Sequence, residues 1–197
     1  MSALTLGSDT LAVTPTPGTM EYNGSLYYTD SNSSRGAIQR LLLSTAVAST
    51  SGTSIDFTSI PAWAKRITVM FNGVSTNGTS NIQIQLGTGS TVFTTTGYGS
   101  NYSTLGASTV ATAAASTGFI SSVPSAGTAT VSGQIFVANI TGNAWAQIGQ
   151  LGETNGTRIT SSTGSISLGA ILTAVRITTV NGTDTFDAGS INILVEG

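Results

Sequence analysis

The sequence predicts an all-β protein, an antiparallel β-sandwich of jelly-roll type preceded by an extended N-terminal segment. Three observations lead there. Apolar and polar residues alternate with period two in several runs, as in Ile82, Ile84 and Leu86 against Asn81, Gln83 and Gln85. That is the pattern of a strand with one face in a core. Such runs recur roughly every 10–15 residues with Gly, Ser and Asn clusters between them, the texture of a sandwich. No window supports a helix. The best, 109–116, has several alanines but is flanked by Ser, Thr and Gly118, and reads as a loop or a single turn.

The elements follow in chain order. Residues 1–17, with Pro15 and Pro17, read as extended chain with little power to fold alone. Met20-Glu21-Tyr22, Asn23-Gly24 and Leu26-Tyr27-Tyr28-Thr29 form a β-hairpin signal, with Asn-Gly supplying the two left-handed residues of a type I′ turn. Residues 30–34 are a polar turn, and 35–38 allow one more short strand. Residues 39–43 are a brief link of helix or strand. Beyond it, strands are expected at 54–58, 66–74, 81–87, 91–95, 118–121, 128–140, 144–151, 165–168, 174–179 and 190–195. Within them Ile67, Val69 and Phe71 share a face, as do Ile135 and Val137, and Ile191, Ile193 and Val195. The chain thus divides into an N-terminal segment, 1–45, and a sandwich domain, 46–197.

Composition narrows the function. The chain lacks both Cys and His. Disulfides, thiolate and imidazole metal sites, cysteine nucleophiles and Ser-His-Asp triads are therefore excluded. Charged residues make up 7% of the chain, against about 25% in an ordinary domain. Of 197 residues, 61 are Ser or Thr, so the surface is coated with hydroxyls and amides. Few contacts then depend on charges that salt would screen. With one Lys and five Arg there is no basic patch for phosphates, and no apolar run is long enough to span a bilayer. Neither nucleic acid nor membrane is expected as a partner, and no cofactor or metal is implied.

Asp184 and Asp187 are the close carboxylate pair of the C-terminal half. Two acids fall short of the six or more oxygens a hard cation takes, so they read as a solvated turn rather than a Ca²⁺ loop or a glycosidase pair. Trp63 and Trp145 read as buried plugs rather than sugar platforms. Lys65-Arg66 is the one adjacent basic pair and reads as a solvated strand start. The glycines around Gly87 lack the lysine and helix of a phosphate loop. Tyr98 and Tyr102, in Thr-Gly-Tyr-Gly-Ser-Asn-Tyr-Ser, lie in a Gly/Ser/Asn stretch like that of antibody loops and are the candidate receptor-binding residues.

The hairpin segment poses a separate question. It gathers three of the five tyrosines, yet a lone hairpin is marginal in water. Several copies packed together would bury Tyr22, Leu26, Tyr27 and Tyr28, with Arg35 pairing with Glu21 or Asp30 of its own or a neighbouring chain.

Three stretches carry a family resemblance. Gly18 to Thr29 with Ser34-Arg35-Gly36 resembles a "G-x-x-E-Y-(N/D)-G-x-(L/F)-Y-x-T … R-G" segment of tail-fibre and other virion proteins of tailed bacteriophages. Residues 54–75 and Asn81-Ile-Gln-Ile-Gln-Leu-Gly resemble the β-sandwich head of such proteins, including those of cyanobacterial phages. Beyond Gly97 the likeness is one of texture. The resemblance implies a homotrimer whose interface includes Tyr22, Leu26, Tyr27, Tyr28 and Arg35. It implies a place on the virion beside other virion proteins, and a non-enzymatic role in host adsorption through surface polysaccharide. The alternative is a purely structural part such as a baseplate, neck or capsid-attached fibre.

Overall fold

The computed structural model describes residues 10–197, and every regular element among them is a β-strand. The expectations for residues 1–9 lie outside the described residues. The chain forms two compact units, one reaching to Arg40 and one spanning Leu41–Gly197.

The N-terminal unit is a three-stranded antiparallel sheet, β1 (Met20–Tyr22), β2 (Leu26–Thr29) and β3 (Arg35–Ala37), in that order. Tyr22 stands opposite Leu26, so the hairpin loop holds three residues rather than the expected two. Its single left-handed residue is Gly24, at φ 100°. One such residue is what a three-residue loop requires, whereas a type I′ turn would need two. Asp30 closes the next turn as the sequence suggests. Its Oδ1 accepts from the amides of Asn32 at 2.9 Å and Ser34 at 2.8 Å. The expected third strand forms and pairs Tyr27 with Ala37 and Thr29 with Arg35.

The second unit is an antiparallel β-sandwich. Its strands are β4 (Leu41–Leu43), β5 (Val47–Ala48), β6 (Ser54–Phe57), β7 (Arg66–Thr76), β8 (Ile82–Gly87), β9 (Gly99–Gly106), β10 (Thr109–Ala115), β11 (Phe119–Ser122), β12 (Val131–Thr141), β13 (Ala144–Glu153), β14 (Ile159–Ser167), β15 (Ala174–Thr179) and β16 (Phe186–Glu196). One layer has four strands in the order β11-β8-β15-β6. The other has nine, in the order β10-β9-β14-β13-β12-β7-β16-β4, with β5 also on β16. Two alternating sets stand out: β4/β5-β16-β7-β12 in the large layer and β6-β15-β8-β11 in the small one. That interleaving is the jelly-roll order of eight strands, in which successive strands switch layers except where β8 and β11 pair within the small one. Two hairpins are added to it. β9–β10 is inserted between β8 and β11, and β13–β14 between β12 and β15. Both join the large layer and widen it beyond the roll.

The inner faces meet in one apolar core. Ile82, Ile84, Leu86, Val175 and Ile177 of the small layer face Ile67, Val69, Ile135, Val137 and Ile193 of the large one, all buried. Each such side chain contributes about 1.5–3 kcal/mol by leaving water. β11 lies over β13, β14 and β9, with Phe119 fully buried. Its ring fits because β14 has no side chain at Gly164: a Cβ there would stand 2.8 Å from Phe119 Cδ1. The sheet is thin where the strand must pass.

Several expectations are corrected. Residues 109–116 are neither loop nor helical turn but the edge strand β10, paired with β9 along its whole length. Residues 99–106, read as loop, are a strand paired on both sides, with β10 and β14. Residues 91–95 form no strand; Phe93 makes a single bridge to Gly87. Residues 41–43, placed in the N-terminal segment, pair with β16 as an edge of the sandwich. Gln83 and Gln85 do point away from the core, yet both are buried. Gln83 Oε1 accepts from the Thr117 hydroxyl at 2.9 Å, and Gln85 Nε2 donates to the Thr117 carbonyl at 2.9 Å.

Candidate ligand-binding groove

The widened part of the large layer has a solvent face with an ordered pattern. Alternation along β12 turns Gln134 and Phe136 outward while Ile135 and Val137 go to the core. On β13, Ile148 and Gln150 face out and Gln147 and Leu151 face in. Pairing then fixes which outward residues are neighbours. Gln134 stands opposite Gln150, Gln150 opposite Ser161, Ser161 opposite Ser103, and Ser103 opposite Thr112. Five hydrogen-bonding side chains from five strands thus form one row. The next row is Phe136, Ile148, Thr163, Asn101 and Ala114, again in unbroken register.

These two rows line a groove of about 870 Å³. That volume lies in the range of small-molecule sites. Its lining holds no charged residue. Phe136 and Ile148 form its apolar floor and remain 38% and 61% exposed. Gln150 Nε2 donates to Ser161 Oγ at 2.5 Å, which holds the centre of the polar row in place. The row presents amides and hydroxyls, groups that both donate and accept, and offers no fixed ion.

The structure separates the two tyrosines proposed from sequence. Tyr98 is corrected: it is a core residue, 4% exposed, and it offers nothing to a receptor. Its ring meets Phe119 edge to face, with centroids 4.9 Å apart. Its hydroxyl accepts from the Leu86 amide at 2.7 Å. Burial pushes its pKa up to about 12, opposed in part by that backbone hydrogen bond. Tyr102 is half-buried on β9, in the row of Ile135, Gly149 and Ser162 on the core side of the sheet, and its hydroxyl accepts from Asn81 Nδ2 at 3.2 Å. The polar row is not visible in the sequence. Its members are ordinary outward residues of five separate strands, and strand order brings them together.

Other candidates resolve as structure. Asp184 accepts from the Ser80 amide at 3.0 Å and from Asn181 Nδ2 at 2.6 Å, and Asp187 accepts from the Ser75 hydroxyl. Asp184 ties the turn before β16 to the β7–β8 connection, and Asp187, near the start of β16, is tied to β7. No group of three or more potential metal ligands exists among the described residues. Trp145 is buried, and Trp63 packs against the core cluster. Arg66 forms a two-pronged ion pair with Glu196 at 2.5 Å, and that hydrogen bond, aided by the opposite charge, raises its pKa. Arg176 grips Asp56 at 2.7 and 2.8 Å and lies 4.0 Å over the Phe93 ring. The Asp56 hydrogen bond raises its pKa against the opposing effect of burial.

In the N-terminal unit, the five residues proposed for an interface lie on two faces. Register places Met20, Tyr22, Leu26 and Tyr28 on one side and Glu21, Tyr27, Thr29 and Arg35 on the other. Arg35 Nε donates to Glu21 Oε2 at 2.7 Å within the same chain. Its Nη2 donates to the Ala12 carbonyl at 2.6 Å, and the Ala12 amide donates to Glu21 Oε1 at 2.7 Å. Met20, Tyr22 and Tyr28 leave an apolar face 37–53% exposed.

No family model, curated protein or solved structure matches the chain.

Proposed function

We propose that the chain is a non-enzymatic structural protein of a tailed-phage virion, a trimeric tail fibre that contributes to host adsorption by binding cell-surface glycan. The observation that carries this reading is the open face of the N-terminal sheet, where Met20, Tyr22 and Tyr28 stand in water beside Leu26. A small sheet with an uncovered apolar face is marginal alone. Three copies around a threefold axis cover it, each buried side chain adding about 1.5–3 kcal/mol. In this arrangement Tyr22, Leu26 and Tyr28 meet their counterparts, while Arg35 and Tyr27 brace the sheet from behind. Other virion proteins hold the assembly, and the sandwich faces outward. Three heads on one fibre and several fibres on a particle let weak single contacts add up to firm attachment.

A second reading, a purely structural joint without receptor binding, is favoured by β4. This strand ends the large layer, and Leu41 and Leu43 are more than 60% exposed on it. An uncharged apolar edge suits docking against another virion protein. Antibody raised against the purified chain separates these outcomes when applied to tailed particles whose genome encodes it. Label on the particle exterior, together with slower infection in the presence of free protein, is the expected result. Label without competition supports the joint, and particles free of label contradict both.

A further inference from the structure

We infer that the groove on the large layer binds a neutral, linear glycan that runs across the strands, along the row Gln134, Gln150, Ser161, Ser103 and Thr112. This inference rests on the adsorption reading above and names its ligand class. It begins from the register. The five side chains lie on five adjacent strands with no break in pairing. Adjacent strands stand about 4.8 Å apart, close to the length of one hexose in an extended chain. The row therefore spans roughly 19 Å and repeats in step with about four sugar units.

Chemistry selects the same ligand. Sugar hydroxyls both donate and accept, and so do Ser, Thr and the primary amides of Gln. The second row supplies Phe136 and Ile148 against which the apolar ring faces pack. The missing charge chooses among glycans. Carboxylated, sulfated or phosphorylated chains are read by Arg and Lys, and the groove lining has neither. The nearest groups by sequence are committed elsewhere: Arg158 donates to the carbonyls of Val123 and Pro124, and Glu153 accepts from Ser125. An acidic chain laid in the groove would give up its hydration without a counterion.

The 197-residue chain is titrated calorimetrically with cello- and manno-oligosaccharides of two to six units, and with hexagalacturonate as a charged chain as long as the longest of these. Affinity for at least one neutral series is expected to rise tenfold or more from two to four units and then level off. Hexagalacturonate is expected to bind at least tenfold more weakly. Ser103→Trp blocks the fourth position of the row and is expected to lose tenfold or more, and Gln150→Ala, a milder change, several-fold. Amide shifts in the wild-type NMR spectrum are expected to follow the two rows. The inference is overturned if neither neutral series binds at millimolar concentration, if the acidic chain is preferred, or if both variants bind like wild type. A Ser103→Trp protein that changes its oligomeric mass, with no glycan bound by wild type, assigns the groove instead to contact between copies and also overturns it. The trimer reading stands or falls separately, on the mass of the wild-type protein and on particle labelling.

Discussion

Single residues carry two tests of the fold. Tyr98 keeps its proton in the folded protein to about pH 12, whereas an exposed tyrosine loses it near 10. Above pH 10 the unfolded chain binds fewer protons than the folded one, so stability falls as pH rises from 10 through 12. The full difference is worth roughly 2–3 kcal/mol. Urea unfolding between pH 9 and 12 is expected to show that loss in wild type. Tyr98→Phe is expected to be weaker by about 1–3 kcal/mol at pH 8, since the Leu86 amide loses its partner, with a smaller further loss in alkali. Gly164 is the second case. Gly164→Ala places a Cβ against both the Gly99 carbonyl at 2.7 Å and Phe119 at 2.8 Å. Overpacking of this kind costs about 1–3 kcal/mol, read as a lower urea midpoint at an unchanged slope.

At the scale of elements, the N-terminal sheet depends on one ion pair. Glu21 receives Arg35 and the Ala12 amide together, and all three join chain segments far apart in sequence. Glu21→Ala is expected to loosen this unit while leaving the sandwich intact. Limited trypsin digestion then cuts after Arg35 several times faster, and the C-terminal body survives as a stable fragment. The β9–β10 hairpin makes a contrasting prediction. β9 is paired on both sides and β10 on one, so amide exchange is expected to be slow along β9 and fast at alternate positions of β10. This hairpin also marks the limit of what the sequence reveals. Strands such as 66–74 and 82–87 are legible because Ile, Val, Leu and Phe recur at alternate positions in them. β9 and β10 read Gly-Ser-Asn-Tyr-Ser-Thr-Leu-Gly and Thr-Val-Ala-Thr-Ala-Ala-Ala, with weak strand propensity. They are strands because β14 offers a free edge, a tertiary cause that no local window holds. Two of the groove's five strands are these, so the groove is illegible in the sequence too. Tyr98 misled for a related reason: its Gly/Ser/Asn neighbours suggest a loop, but Ile84, Leu86 and Phe119 belong to the core into which it turns.

On the scale of the whole molecule, stability comes from one uncharged core and from hydroxyl and amide contacts rather than from ions. Three salt bridges occur among the described residues, and two of them clamp strands of the sandwich. Thermal midpoints are therefore expected to shift by no more than a few degrees between about 0.05 and 1 M NaCl, since little depends on screened charge. The N-terminal unit supplies the other test, since its sheet leaves Met20, Tyr22 and Tyr28 exposed on one face. Glu21 and Arg35 pair on the opposite face of that sheet, and in the proposed trimer Met20, Tyr22, Leu26 and Tyr28 together meet the neighbouring copies. The most direct test is the solution mass of the 197-residue chain by light scattering, across a dilution series from tens of micromolar to tens of nanomolar. The account predicts three chains of 19.8 kDa in wild type and dissociation to single chains in Tyr22→Ser/Tyr28→Ser with the sandwich still folded. A wild-type protein that runs as one chain throughout that range would contradict it.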